Sequence, residues 1–308
     1  TQVLFGIDKV SIPFVKDFDF KYGECSVMSP LVKRVIANNP GPFTYTGTGV
    51  YIIGNKEVAI IDPGPNTPEH KNAIKKALTG KKVTHIFLTH HHLDHSPLAK
   101  PLALEYGCNI YGLSIDIKKR NSFPSLEAGE DNTFKPDIDV KCGDLFKGGE
   151  WTIEAIHTPG HTSNHVCYAL KEENLLFSGD HIMGWSTSVV SPYEGHMGDY
   201  INSLKKIKER DFSIIFPTHG TYIDKVDSFI DAYINHRYYR EKQIIEALKT
   251  GSGLILDIVK KLYLDLDKRL YPAAAHSVLS HLIYLREKGV VMATADNGLD
   301  CHYKIIES

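Results

Sequence analysis

The sequence predicts an α/β fold over residues 1–235, followed by a small, mainly helical domain over residues 236–308 that ends in a hairpin. Three observations predict it. Apolar runs of strand length, such as residues 49–54, 58–61 and 83–88, are interleaved with stretches of helical character. Several of these runs lead directly into turns that carry histidine or aspartate. Beyond residue 225 the apolar spacing changes to three-and-four, the period of a one-sided helix, and the chain closes around Asp296-Asn297-Gly298, a hairpin signal.

At 308 residues the chain is long enough for one large core or two domains. A net charge of -2 gives no overall attraction to nucleic acid or anionic membrane, so any such binding must be local. The five cysteines are scattered, odd in number and free of CxxC spacing, which argues against a disulfide framework or a zinc knuckle and for a reducing compartment. No long apolar span is present, so no membrane association is expected. A cytoplasmic location is expected, or the mitochondrial matrix if a leader was trimmed ahead of Thr1.

In chain order, residues 32–37 read as a strand, and the Pro/Gly-rich residues 38–43 as a loop. Residues 49–54 and 58–61 form a hairpin around Asn55-Lys56-Glu57. Thr67 caps a helix that starts at Pro68 and runs to about Leu78. After the strand at 83–88 come a helix over 96–106, with its positive dipole end toward the preceding loop, and a strand over 109–113. Residues 114–136 lack periodicity and read as a lid or a disordered insertion. Strands are predicted at 140–146, 151–156, 165–170, 174–177 and 213–216. A long helix over 225–249 is expected to be interrupted near His236-Arg237-Tyr238-Tyr239-Arg240, read as a surface hinge between domains. Helices over 254–263 and 272–288, ended by Gly289, precede strands at 290–293 and 301–306.

The chemistry gathers at strand ends. Thr89-His90-His91-His92-Leu93-Asp94-His95 follows a buried strand, and neutral imidazole and carboxylate are the ligands a dication such as Zn2+ takes. Alternate residues of extended backbone point the same way, so His90 and His92 share one metal, while Asp94 and His95 face a second. The Pro159-Gly160 turn presents His161 as third ligand of the first metal. Asp180, at the end of another strand, is placed to bridge two cations, and His219 completes the second site. Asp62 is either an acceptor that orients the histidine loop or a turn former. His157, Asn164 and His165 are supporting hydrogen-bond partners, substrate contacts or ordinary polar neighbours.

These motifs, HxHxDH at 90–95, TPGH at 158–161, GD at 179–180 and THG at 218–220, resemble the metallo-β-lactamase superfamily over about residues 25–230. The resemblance implies a four-layer αβ/βα sandwich with a dinuclear metal site at one edge of its two sheets. It implies His90, His92 and His161 as ligands of the first metal, Asp94, His95 and His219 of the second, and Asp180 as the bridge. True zinc β-lactamases generally lack the bridging aspartate, so Asp180 makes the chain similar to the glyoxalase II and nuclease branches.

The implied function is that of a dinuclear hydrolase with two Zn2+ per chain, Mn2+ or Fe being alternatives. A hydroxide held between the metals attacks a carbonyl or phosphoryl centre, with Asp94 orienting it and taking its proton. The C-terminal domain resembles the winged-helix extension of the mitochondrial β-lactamase-like endoribonuclease group and its bacterial relatives. So do Gly184-Trp185-Ser186-Thr187, Gly198-Asp199-Tyr200 and His236-Arg237. This implies phosphodiester cleavage in single-stranded RNA. The charges from His236 onward are nearly balanced, eleven Lys/Arg against nine Asp/Glu, with only Arg286 and Lys288 near the end of the recognition helix. A lid or a homodimerisation role for this domain therefore stands beside nucleic-acid binding. The alternatives are thioester hydrolysis of a small molecule of the hydroxyacylglutathione kind and a non-catalytic nucleic-acid-binding regulator. For the first, no basic cluster is evident in residues 189–199, and only Lys118, Lys119 and Arg120 remain to supply one.

Overall fold

In the computed structural model the described residues are 11–115, 129–264, 266–294 and 298–306. Seven strands form the first sheet in sequential order: β1 (Cys25–Val27), β2 (Val32–Ile36), β3 (Gly49–Ile53), β4 (Glu57–Ile61), β5 (Lys82–Phe87), β6 (Asn109–Gly112) and β7 (Ile138–Asp139). The first four are antiparallel, and β4 to β7 run parallel. The helices α1 (Pro68–Ala77) and α2 (Ala99–Tyr106) provide the crossovers. Thr67 caps α1 by accepting from the His70 N–H, with Pro68 at the first helical turn as expected.

The second sheet has the order β12-β11-β10-β9-β8, from β8 (Leu145–Lys147), β9 (Thr152–His157), β10 (Val166–Leu170), β11 (Leu175–Gly179) and β12 (Ile214–Pro217). Only β11 and β12 are parallel, and α3 (Met197–Lys208) connects them. Residues 140–146 are not one strand. Ile138–Asp139 closes the first sheet, Leu145–Lys147 opens the second, and Gly143 at φ +92° makes the turn between them. A left-handed glycine interrupts the regular register of a ladder.

The apolar runs are continuous because both faces of the central strands are covered. On β3, Tyr51 and Ile53 point into the core between the sheets, while Val50 and Ile52 pack under α1 and α2. On β10, Tyr168 and Leu170 face the same central core, and Cys167 and Ala169 pack against α3 and the next helix, α4 (Val226–Lys249). The layers are thus helix, sheet, sheet, helix, the expected αβ/βα sandwich.

The small domain contains α5 (Ile255–Leu262), α6 (Tyr271–Glu287) and the antiparallel pair β13 (Val291–Ala293) and β14 (Tyr303–Ile305). Its core joins Ile258, Val278, Leu282 and Tyr303 to Ile244 and Leu248 of α4. The expected break near His236 is absent. α4 runs without interruption across the 235/236 boundary, its first half in the core beside α3 and its second half in the core of the small domain. Arg237 is 2% exposed rather than a surface residue, because it packs over the Tyr200 ring. The lid or insertion reading of residues 114–136 falls largely on 116–128, outside the described residues, as do Lys118, Lys119 and Arg120. Asp296 and Asn297 of the hairpin turn also lie outside them.

Candidate metal centre

The parallel pairs β4/β5 and β11/β12 send their C-terminal ends to one rim, where the two sheets are tied together. The Gly49 N–H donates to Thr218 O at 2.8 Å and the Val166 N–H to Thr89 O at 2.8 Å. Every predicted ligand leaves the sheets at this rim. Two glycines permit it. Gly179 at φ +53° ends β11, and a Cβ there would lie 2.6 Å from His165 Nε2. Gly160 at φ +147° leaves no room for a Cβ, which would meet Tyr200 Cα at 2.3 Å.

The structure brings all seven predicted side chains together as two buried clusters, His90/His92/His161 and Asp94/His95/Asp180/His219, with donor atoms in each within 4.8 Å of one another. Nε2 of His90 and His161 stand 3.3 Å apart. His219 Nε2 is 3.1 Å from Asp94 Oδ2 and 3.4 Å from Asp180 Oδ1, and His95 Nε2 is 3.5 Å from each carboxylate. Ligands about 2.1 Å from a tetrahedral zinc are roughly 3.4 Å from one another. Nε2 of His95, Nε2 of His219 and Oδ1 of Asp180 are buried with no hydrogen-bond partner among the described residues. Such atoms are costly unless something else satisfies them.

The opposite edge of each ring explains the orientation. His95 Nδ1 donates to Asp62 Oδ2 at 2.8 Å, His161 Nδ1 to Val189 O at 2.7 Å and His219 Nδ1 to Gly47 O at 3.1 Å. His90 Nδ1 donates to the Thr89 hydroxyl at 3.0 Å, which itself donates to Asp62. His92 differs: its Nε2 donates to Glu194 Oε2 at 3.0 Å, so it would ligate through Nδ1. Each of these acceptors fixes the tautomer that turns a lone pair toward its cluster. The donor set and its geometry therefore fit a pair of dications.

Charge follows the same plan. Burial pushes the His90 imidazole well below its ordinary pKa, helped by His95, His92 and His161. Burial works the same way on His219, but Asp180 and Asp94 overcome it and lift the ring to about 10. His95 is likewise held well above its ordinary value, against burial, by Asp94, Asp180 and Asp62. Both cluster carboxylates are held below their ordinary range against the pull of burial. The carboxylates thus favour positive charge at His95 and His219, where a cation would sit.

Asp62 is the orienting acceptor and also a left-handed turn residue at φ +47°, so both readings of it apply. His165 supports the bridge position, since its Nε2 accepts the Asp180 N–H at 3.2 Å. Asn164 Oδ1 accepts from His91 Nδ1 at 2.8 Å. His157 donates to Ser163 O and touches neither cluster, a polar neighbour of the turn. Sequence reasoning missed Glu194 and Val189, in the segment it searched only for cations. It placed Arg237 at a surface hinge, whereas its Nη2 donates to Ser188 O at 2.6 Å, one residue before the carbonyl that holds His161.

The sandwich and the paired clusters at its rim define a metal-dependent hydrolase. Residues 45–219 match the family model for the metallo-beta-lactamase superfamily, and residues 255–298 match that for the beta-lactamase associated winged helix domain. The chain belongs to the metallo-beta-lactamase superfamily. It is 33% identical over 271 residues to the beta-lactamase-like protein 2 homolog of Caenorhabditis elegans, covering 86% of this chain and 87% of that one. It is also 31% identical over 225 residues to the atrochrysone carboxyl ACP thioesterase dmxR1 of Cryptosporiopsis, covering 72% of this chain but 64% of that one. The crystal structure of a metallo-beta-lactamase family protein from Thermus thermophilus superposes with a TM-score of 0.74 at 20% identity, over 91% of this chain and all of that one. Among the described residues no helix is long and apolar enough to cross a membrane.

Proposed function

We propose that this hydrolase cleaves phosphodiester bonds in single-stranded RNA. The observation that carries the reading is a groove between the sandwich and the winged domain. It begins at Asp180 and Trp185, passes Arg237, Arg240 and Tyr263, and continues past Phe43 to Arg269, whose charge is met by Asp267 at 2.6 Å. Trp185 is braced by Tyr45, whose ring stacks on it at 4.7 Å. Aromatic faces alternating with guanidinium groups suit unpaired bases and the phosphates between them. With a net charge of -2 on the whole chain, Arg237 and Arg240, which have no acidic partner among the described residues, would supply the attraction.

His90, His92 and His161 would hold one dication and Asp94, His95, His219 and Asp180 the other, Asp180 Oδ2 also lying 4.0 Å from His161 Nε2. Such a pair supplies acidified water, its pKa brought from 15.7 toward about 7, and positive charge against the growing charge on the substrate oxygen. Asp94, 7% exposed, orients the attacking water and takes its proton at the carboxylate. Asp62 and Glu194 hold His95 and His92 in their ligating tautomers.

Thioester hydrolysis is the second reading. It is favoured by the thioesterase name of relatives 31–32% identical and by the aliphatic part of the same groove, Met183, Leu266, Leu270 and Ala274. Incubation of the zinc- or manganese-loaded protein with labelled single-stranded RNA and with an acyl thioester decides between them. RNA cleavage lost on chelation, and lost by about 10²-fold or more in Asp94→Ala, is expected. Thioester turnover without RNA cleavage, or RNA cleavage surviving in Asp94→Ala, would overturn the first reading.

A further inference from the structure

The part of the groove nearest Asp180 is a cavity of about 200 Å³ with an unusual electrical character. Arg237 and Arg240 line it from α4, with His236 beside them, and Trp185 lines it from the loop after β11. Asp180 is the one carboxylate in the lining among the described residues, and it belongs to the metal cluster. Neither guanidinium has an acidic partner among the described residues. Arg237 lies over Tyr200 and donates to Ser188 O, and Arg240 lies 4.3 Å over Tyr263 and donates to Gln243. Their Nε atoms, Nδ1 of His236 and Nε1 of Trp185 are all buried without a hydrogen-bond partner among the described residues.

A buried cation without a counter-charge is expensive, and so is a buried donor without an acceptor. Three such N–H donors, on Arg237, Arg240 and Trp185, with the His236 ring beside them, call for a single compact group rich in acceptor oxygens and negatively charged. Arginine forks match the oxygens of a phosphate in this way. We propose that this cavity is a phosphate-binding subsite, which holds the phosphate of the substrate next to the bond that is cut. The proposal rests on the single-stranded RNA reading for the identity of that substrate, but not for the existence of the subsite.

Arg240 is the residue to change, because Arg237 also anchors the loop that carries Val189. In metal-loaded Arg240→Gln with unchanged melting temperature and metal content, KM for RNA should rise about tenfold while kcat stays within about twofold. The slope of log affinity against log salt should fall by about 0.7, the loss of one contact to a single strand. Arg240→Lys should recover the salt slope and only part of the KM. Inorganic phosphate is the second probe. The chain has two tryptophans, and Trp185 lines the cavity, so titration with phosphate should change the native fluorescence and leave Arg240→Gln unaffected.

If the native protein cuts no RNA but the phosphate response is present and depends on Arg240, the subsite stands and the RNA reading falls. A lower KM for thioesters that carry a 4′-phosphate on the pantetheine arm would then name the other source of the anion. No phosphate response in the native protein, or an equal response in Arg240→Gln, overturns the subsite whatever the enzyme cuts.

Discussion

Asp62→Asn tests whether the metal centre depends on an acceptor that would never touch a metal. The native carboxylate, fully buried, accepts the Thr89 N–H at 2.8 Å on Oδ1. On Oδ2 it accepts the Thr89 hydroxyl at 2.7 Å, His95 Nδ1 at 2.8 Å and the Thr218 hydroxyl at 3.3 Å. An asparagine keeps the shape, and its oxygen can still take the Thr89 N–H. Its NH2 then faces His95. The two hydroxyls can rotate to accept, but the imidazole can accept at Nδ1 only by moving its proton to Nε2, the atom that faces Asp94 and Asp180. A protonated Nε2 cannot ligate. The expected loss is about 10- to 100-fold in affinity at the second site, the usual effect of removing such an orienting partner. The metal-free protein should lose about 1.5–3 kcal/mol, the worth of a hydrogen bond to a charged group. Competition with a chelating dye, read as two binding steps, measures the first, and urea unfolding of the stripped protein measures the second. Two native-affinity binding steps in Asp62→Asn would refute the argument.

Two further outcomes follow from the same geometry. Because the His219 pKa is raised from 6.5 to about 10, its contribution to the metal-free protein is fully present below pH 6.5 and is lost as pH rises through about 10. Urea midpoints of stripped protein should therefore fall between pH 6.5 and 10, and a flat or rising midpoint would contradict the assignment. Gly160→Ala combines a strained backbone with a Cβ 2.3 Å from Tyr200 Cα, and should cost roughly 2–6 kcal/mol of stability in thermal unfolding. Gly80→Ala, at φ +74° but with nothing near its Cβ, should cost only the backbone part, about 1 kcal/mol, and equal losses at the two positions would contradict the steric argument.

The seven candidate ligands were legible because a cation demands particular side chains, and those types recur at strand ends in few other contexts. The strands of the sandwich were legible for the opposite reason, since apolar runs buried on both faces leave little choice of period. What escaped was carried by atoms without a type signature. The carbonyls of Val189 and Gly47 orient His161 and His219, and any residue could supply them. Glu194 becomes a partner of His92 only through a fold that joins positions 102 residues apart. The split at 140–144 was readable from Gly143-Asp144, and α3 from its apolar spacing at Met197, Tyr200, Ile201, Leu204 and Ile207. Arg237 was misread as exposed because a charged side chain normally is, and here aromatic packing against Tyr200 removed it from water.

The 24 residues of α4 make a girder about 36 Å long that both halves of the molecule share. A jointed tether would let the winged half swing aside and admit cargo of any girth. A girder instead fixes the gape of the groove beside the candidate metal centre. On the proposed RNA reading, such a groove would admit an unpaired strand that can bend and refuse a stiff double helix, with no side chain needed to read a base.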